Sequence, residues 1–161
     1  MKILFFHGLE SSATGSKATW LKENYGAFTP ALPTKKGLEA SVKAARKAVS
    51  EFHPDLVVGS SFGGAVALTL LNDGTLSVPT VLIAPAAKKL GAPNTLPAGV
   101  PVVVLHGEND ATVPLEDSRA LIATGDENTL LHVVRGAAGD HRLNAILKNG
   151  LLERAIEHVQ R

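Results

Sequence analysis

Five consecutive residues, Gly59-Ser60-Ser61-Phe62-Gly63, fit the pattern G-x-S-x-G. The run before them, Asp55-Leu56-Val57-Val58, reads as a buried strand, and Gly64-Ala65-Val66-Ala67-Leu68 after them reads as a helix. A serine held on a sharp strand-to-helix turn projects its oxygen above a sheet, where it can attack a carbonyl carbon. Small residues two before and two after let the strand and helix approach each other. Ser61 is therefore the candidate nucleophile. Ser60 is off-centre, and its side chain is expected to point elsewhere. The plainer reading is a glycine-rich turn with an idle serine.

A serine hydroxyl needs a base to take its proton, and the base needs a third group to hold its tautomer. Of six histidines, His141 stands in a small-residue loop, Gly136-Ala137-Ala138-Gly139-Asp140-His141-Arg142, from which it can reach over strand ends. His53 and His158 fall at helix ends, and His132 lies inside a strand run. His7 and His106 each precede a glycine just past a strand, where packing or backbone bonding is the plainer role. The orienting acid is read as Asp110, in a loop directly after the run Val102-Val103-Val104-Leu105. Glu108 is the runner-up and Asp140 the alternative nearest the base; an Asx turn or helix cap is the plainer role for Asp110. Charge developing on a substrate oxygen calls for two N–H donors. Phe62, just after Ser61, supplies one, and Leu9, in the loop after the first strand, is expected to supply the other. Gly8 lets the backbone come close there. Gly8, Leu90 and Val113, with Leu9 and Phe62, are expected to line an apolar acyl site.

These residues need strand ends to carry them. Apolar runs without alternation occur at Ile3-Leu4-Phe5-Phe6, Ala27-Phe28-Thr29 (the weakest), Leu56-Val57-Val58, Thr80-Val81-Leu82-Ile83, Val102-Val103-Val104-Leu105 and Leu130-Leu131-His132-Val133-Val134. Strands buried on both faces read this way. Between them lie helical patterns. Leu38, Val42, Ala45, Val49 and Phe52 make one stripe, and Gly63 to Leu71 is apolar all round. Pro114 with Glu116 and Asp117 marks a helix start. A last helix is expected from about Arg142 to Val159, with Gly150 as a possible break. Ser16 is expected to cap a helix beginning there. Alternating strands and helices point to a parallel sheet covered on both faces. The proline-bearing stretch Ala84 to Pro101 reads as a long loop, too short to build a large lid.

The 161 residues suit one domain, 1–161. A net charge of +1 and the lack of a basic run argue against a nucleic-acid partner. With no cysteine, disulfides, thiolate metal sites and a cysteine nucleophile are excluded. No His-x-x-x-His pair or carboxylate cluster suggests a metal, so neither metal nor cofactor is expected. A phosphate-binding loop is tested by Gly8, Gly15 and Lys17: six residues separate the glycines and Ser16 precedes the lysine, so the spacing fails. No apolar run approaches a membrane span, and the apolar start stops after four residues. A soluble, cytoplasmic protein without a membrane partner is the expectation. The oligomeric state is left open.

Assembled, these residues resemble the α/β-hydrolase-fold serine hydrolases, and most of all the small, lid-poor bacterial esterases of the YqiA-like group. The likeness rests on His7-Gly8-Leu9-Glu10-Ser11-Ser12 with Gly15-Ser16-Lys17-Ala18, the turn at Ser61, His106-Gly107 with Asp110, and Gly139-Asp140-His141-Arg142-Leu143. The chain order Ser, Asp, His is that of this hydrolase class. The resemblance implies a three-layer α/β/α sandwich, a reduced α/β-hydrolase fold with a mostly parallel sheet of about six strands in the order 2-1-3-4-5-6. It also implies a Ser61–His141–Asp110 triad acting on small acyl esters or thioesters, with a small-molecule acyl ester as the partner. In two respects the chain departs from the wider fold: Ser60 stands where histidine is frequent, and the first two strands of the full-size sheet are missing. The rival reading is a hydrolase-shaped binding protein without catalysis.

Overall fold

The apolar runs become the interior of a parallel sheet. The computed structural model of the chain, describing residues 1–161, orders five strands β1-β2-β3-β4-β5. These are β1 (Ile3–Phe6), β2 (Leu56–Ser60), β3 (Thr80–Ile83), β4 (Val102–Gly107) and β5 (Thr129–Val134), and every neighbouring pair is parallel. All positions of β1 to β4 are buried, as runs without alternation require.

Successive side chains leave a strand on opposite faces, and two apolar clusters follow from that. Leu4, Phe6, Val57 and Leu82 pack on one face with buried residues of α2 (Leu38–Phe52) and α3 (Phe62–Asn72), and with Leu121 of α4 (Leu115–Ala123). Ile3, Phe5, Val58 and Ile83 pack on the other with Leu21 of α1 (Ser16–Tyr25) and with Leu152 and Ile156 of α5 (Leu151–His158). Helix, sheet and helix thus form three layers. Each fully buried large side chain contributes about 1.5–3 kcal/mol relative to exposure.

The weak run at 27–29 is a single parallel bridge, Leu4 with Phe28, flanked by the bonds Phe28 N–H to Ile3 O at 3.0 Å and Phe5 N–H to Phe28 O at 2.9 Å. Pro30 follows and has no N–H to extend the ladder. Counting that bridge, the expected order 2-1-3-4-5-6 is the order across the sheet. The chain leaves β1 toward one side and returns to β2 on the other. The crevice beyond their carboxyl ends is where open α/β sheets bind ligands.

Three local expectations need correction. β5 alternates between half-buried and exposed positions and leaves Leu130 43% exposed, because it lies at the sheet edge with a neighbour on one side only. The last helical stretch does not begin at Arg142: Asn144–Leu147 is a short 3-10 turn, and α5 starts only after Gly150, whose φ of 75° makes the expected break. Ser16 is the first residue of α1 rather than its cap; Gly15 holds the cap position and offers no side-chain bond.

Candidate active site

Ser61 takes a backbone conformation, φ 53° and ψ −111°, that a side-chain-bearing residue rarely adopts. Its surroundings hold it there. Its N–H donates to Ile83 O at 2.8 Å, and its carbonyl accepts from Ala65 at 3.1 Å and Ala86 at 3.0 Å. The turn closes only because Gly63 lacks a side chain: a Cβ there would run into the carbonyl of Phe6 in β1. At Gly59 a Cβ would meet the carbonyl oxygen of Gly63 at 2.7 Å. Both glycines of the pentapeptide are therefore steric requirements of strand and helix contact.

Ser61, His141 and Asp110 come together. Ser61 Oγ lies 2.9 Å from His141 Nε2, and His141 Nδ1 lies 2.7 Å from Asp110 Oδ2. An ionised carboxylate only accepts, so Nδ1 carries the proton and Nε2 is left to accept from the serine hydroxyl. The Asp110 side chain is fully buried, while His141 is 23% exposed. Burial pushes the Asp110 carboxyl up, but the hydrogen bond from His141 and those from the Val113 and Thr112 N–H groups prevail and hold it below the usual carboxylate range. The two N–H groups reach Oδ1 at 2.7 and 2.8 Å. His106 completes the support: Nε2 lies 2.9 Å from Val113 O and 3.2 Å from Asp110 Oδ2, and Nδ1 lies 2.6 Å from Ser118 Oγ. Both neighbours of Nε2 are acceptors, so it carries the proton, and Ser118 donates to Nδ1.

The rival acids brace loops. Glu108 accepts from Gly136 N–H at 3.2 Å, and Asp140 accepts from Leu143 N–H at 3.0 Å. These bonds hold the segment from 136 to 143 that presents His141. Its backbone also crosses the loop after β4, where Glu108 N–H donates to Val134 O and Asn109 N–H to Gly139 O, both at 2.9 Å. Gly107 permits that crossing, since a Cβ there would collide with Gly139.

Leu9 stands where its N–H donates to no backbone group, and Phe62, as the first residue of α3, has no intrahelical acceptor for its own. Gly8 approaches Ser61 closely: a Cβ on it would lie 3.7 Å from Ser61 Cβ. The helix α3 also directs its positive end at the Ser61 turn. Ser60 borders the same cleft, but its hydroxyl makes no bond to His141.

The cleft above Ser61 has a volume of about 630 Å³. The apolar wall expected from Leu90 and Val113 is not there. Val113 is fully buried, and Leu90 packs against the core cluster of α2 and α3. The core consumed these side chains; Phe5 and Leu9 are the hydrophobic residues that line the cleft, with Gly8 beside them. The stretch from 84 to 101 lies on the body, with Leu96 N–H bonded to Thr124 and the Asn94 side chain to Asp117 O. From it only Lys89 reaches the cleft. Sequence reasoning missed Lys89, Lys17 and Arg142 as site residues; Lys17, at the start of α1, and Arg142, beside His141, stood within segments that carry the family resemblance but were given no role there. No group of three or more His, Asp or Glu side chains is arranged to hold a metal ion. No helix is long and apolar enough to cross a membrane.

Sheet order, the strained turn after β2 and the loops after β4 and β5 together define an α/β-hydrolase fold. Residues 10–143 match the family Serine hydrolase (FSH1), and the chain belongs to that family. No curated protein matches the sequence. Solved structures share the fold along nearly the whole chain. Alpha/beta hydrolase domain-containing protein 10 from mouse is 18% identical, with a TM-score of 0.78 over 97% of this chain and 88% of its own. A hydrolase-superfamily structure from Xanthomonas campestris pv. campestris is 20% identical, with a TM-score of 0.75 over 99% and 98%. An alpha-beta serine hydrolase homologue from Coxiella burnetii is 16% identical, with a TM-score of 0.68 over 99% and 84%.

Proposed function

We propose that this hydrolase cleaves small carboxylic esters or thioesters through an acyl-enzyme on Ser61. The observation that carries the reading is the unbroken chain from Ser61 Oγ to His141 at 2.9 Å and from His141 to Asp110 at 2.7 Å. Ser61 Oγ attacks the carbonyl carbon as His141 Nε2 takes its proton. Asp110 stabilises the imidazolium without taking a proton itself. The Leu9 and Phe62 N–H groups receive the negative charge on the carbonyl oxygen. One such donor is commonly worth about 100–1000-fold in turnover. His141 then gives the proton to the leaving oxygen or sulfur. Water, deprotonated by the same nitrogen, releases the acid and restores Ser61.

The test is a panel of p-nitrophenyl esters of graded acyl length with wild type and Ser61→Ala. Short esters should turn over in the wild type. The variant should lose at least about 1000-fold while its circular dichroism and melting temperature stay put. Equal turnover by the two proteins rejects the mechanism.

A further inference from the structure

The cleft above Ser61 is cationic. Lys17 from α1, Lys89 from the loop after β3 and Arg142 beside His141 all border it, and Glu10 is the only acidic residue that does. None of the three cations is in an ion pair. Their partners are neutral: Lys17 Nζ donates to the carbonyl of Arg142 and, at 3.4 Å, to Asn144 Oδ1, and Lys89 Nζ donates to Thr112 O at 3.2 Å. Carbonyl oxygens satisfy an ammonium's donors but leave its charge uncancelled. Asp140 acts on Lys17 through space, but one of its oxygens is committed to Leu143 N–H. Burial pushes the Lys17 ammonium down to about 8, with Asp140 pulling it back up and Arg142 lowering it further, so it remains charged at neutral pH.

The start of α1 adds to this field. Gly15, Ser16 and Lys17 form part of the cleft wall. The cap offers no side-chain acceptor and the first turn holds no acid. The N–H groups of Ser16, Lys17 and Ala18 have no intrahelical acceptor either, and such a terminus favours an anion.

We infer that the substrate is an ester carrying a negative charge of its own, held by Lys17, Lys89 and Arg142 while Ser61 attacks the carbonyl. This rests on the serine-hydrolase reading above. The step is ordinary hydrolysis: the acyl C–O bond breaks, water supplies the new oxygen, and the acid formed gives its proton to solvent. Product therefore leaves with one more negative charge than substrate. The apolar residues at the cleft are few, which disfavours long uncharged acyl chains.

Two matched pairs test it. The p-nitrophenyl monoester of adipate against p-nitrophenyl hexanoate places the charge on the acyl side. Against its methyl ester, m-acetoxybenzoate places it on the leaving group. In at least one pair, kcat/KM for the charged member should exceed that for the neutral one by about three- to tenfold, since Lys17 is partly buried whereas Lys89 and Arg142 are exposed and each adds only a modest interaction. The ratio should fall as salt rises from about 0.05 to about 0.5 M, because screening shortens the field. It should approach unity in the double variant Lys89→Met with Arg142→Gln. A ratio of one or less in both pairs overturns the inference, as does a preference unchanged in the double variant. Ser61-dependent turnover of the neutral esters would leave the hydrolase reading intact in either case. No Ser61-dependent turnover of any member would overturn both.

Discussion

Asp110 divides its two oxygens between two tasks. Oδ1 accepts from the Thr112 and Val113 N–H groups, and Oδ2 accepts from His141. In Asp110→Asn the amide oxygen has two backbone donors to satisfy, so the NH2 group turns toward His141. His141 Nδ1 must then accept, its proton moves to Nε2, and the base facing Ser61 is lost. Ester turnover should fall by about 10⁴-fold while the variant stays folded; a neutral effect beside a severe Glu108→Gln would move the role to Glu108. Stability carries a second signature. Because its folded pKa is depressed, the Asp110 carboxylate contributes stability that is present above its unfolded value of about 3.9 and is lost as pH falls through the lower folded value. The melting-temperature gap between wild type and Asp110→Asn should therefore narrow as pH drops below about 4. A gap that stays constant or widens on acidification contradicts it. At this scale Ser61, Asp110 and His141 were readable because residue type, loop position and chain order all pointed at them. His106 was read as packing or bonding to backbone, and its bond to Val113 O agrees, but its place beside Asp110 and Ser118 arises only when α4 packs against β4. Leu90 and Val113 were misplaced because an apolar type signals burial equally well in a core or in a cleft.

Among the elements, the decisive contact is the crossing of the loops after β4 and β5. One carries Asp110 and the other His141, and Gly107 lies against Gly139 where they meet. Gly107→Ala should force the two loops apart. A stability loss of about 1–3 kcal/mol is expected, with kcat/KM falling about 100-fold or more because the imidazole moves relative to Ser61. Melting and turnover measured on the same preparation check it; full activity would show that the crossing tolerates a methyl group. Gly99 gives the comparison. It has φ 79° and open space around a Cβ, so Gly99→Ala should cost only about 1 kcal/mol of backbone strain. The central strands were legible in the sequence because burial on both faces removes alternation. The expected order 2-1-3-4-5-6 places β5 at the edge, but the run Leu130-Leu131 does not show by its pattern that the strand alternates between half-buried and exposed positions. The single bridge at Phe28 lies below what periodicity can resolve, whereas the break at Gly150 was marked by residue type.

On the scale of the whole molecule, two apolar clusters clamp the sheet from either side, and a flaw in one of them is open to test. Ser41 of α2 is buried and its hydroxyl has no hydrogen-bond partner. Ser41→Ala removes an unsatisfied polar group without changing shape much, so stability should rise by about 1 kcal/mol. For a chain of this size that is roughly 2–4 °C in melting temperature; a lower melting temperature would mean that the hydroxyl has a partner. Net charge was readable from the sequence, but its distribution was not, because Lys17, Lys89 and Arg142 come from three separated segments that only the fold brings to one cleft. The proposed chemistry rests on the same convergence. Ser61 and His141 are 80 residues apart along the chain and meet at 2.9 Å, and the proposed mechanism requires that this contact activate the hydroxyl. A fluorophosphonate probe with mass mapping of the adduct measures that activation directly. A single adduct on Ser61 is expected, absent in Ser61→Ala and formed far more slowly in His141→Ala. An unlabelled Ser61, or labelling at the same rate without the imidazole, would contradict the account.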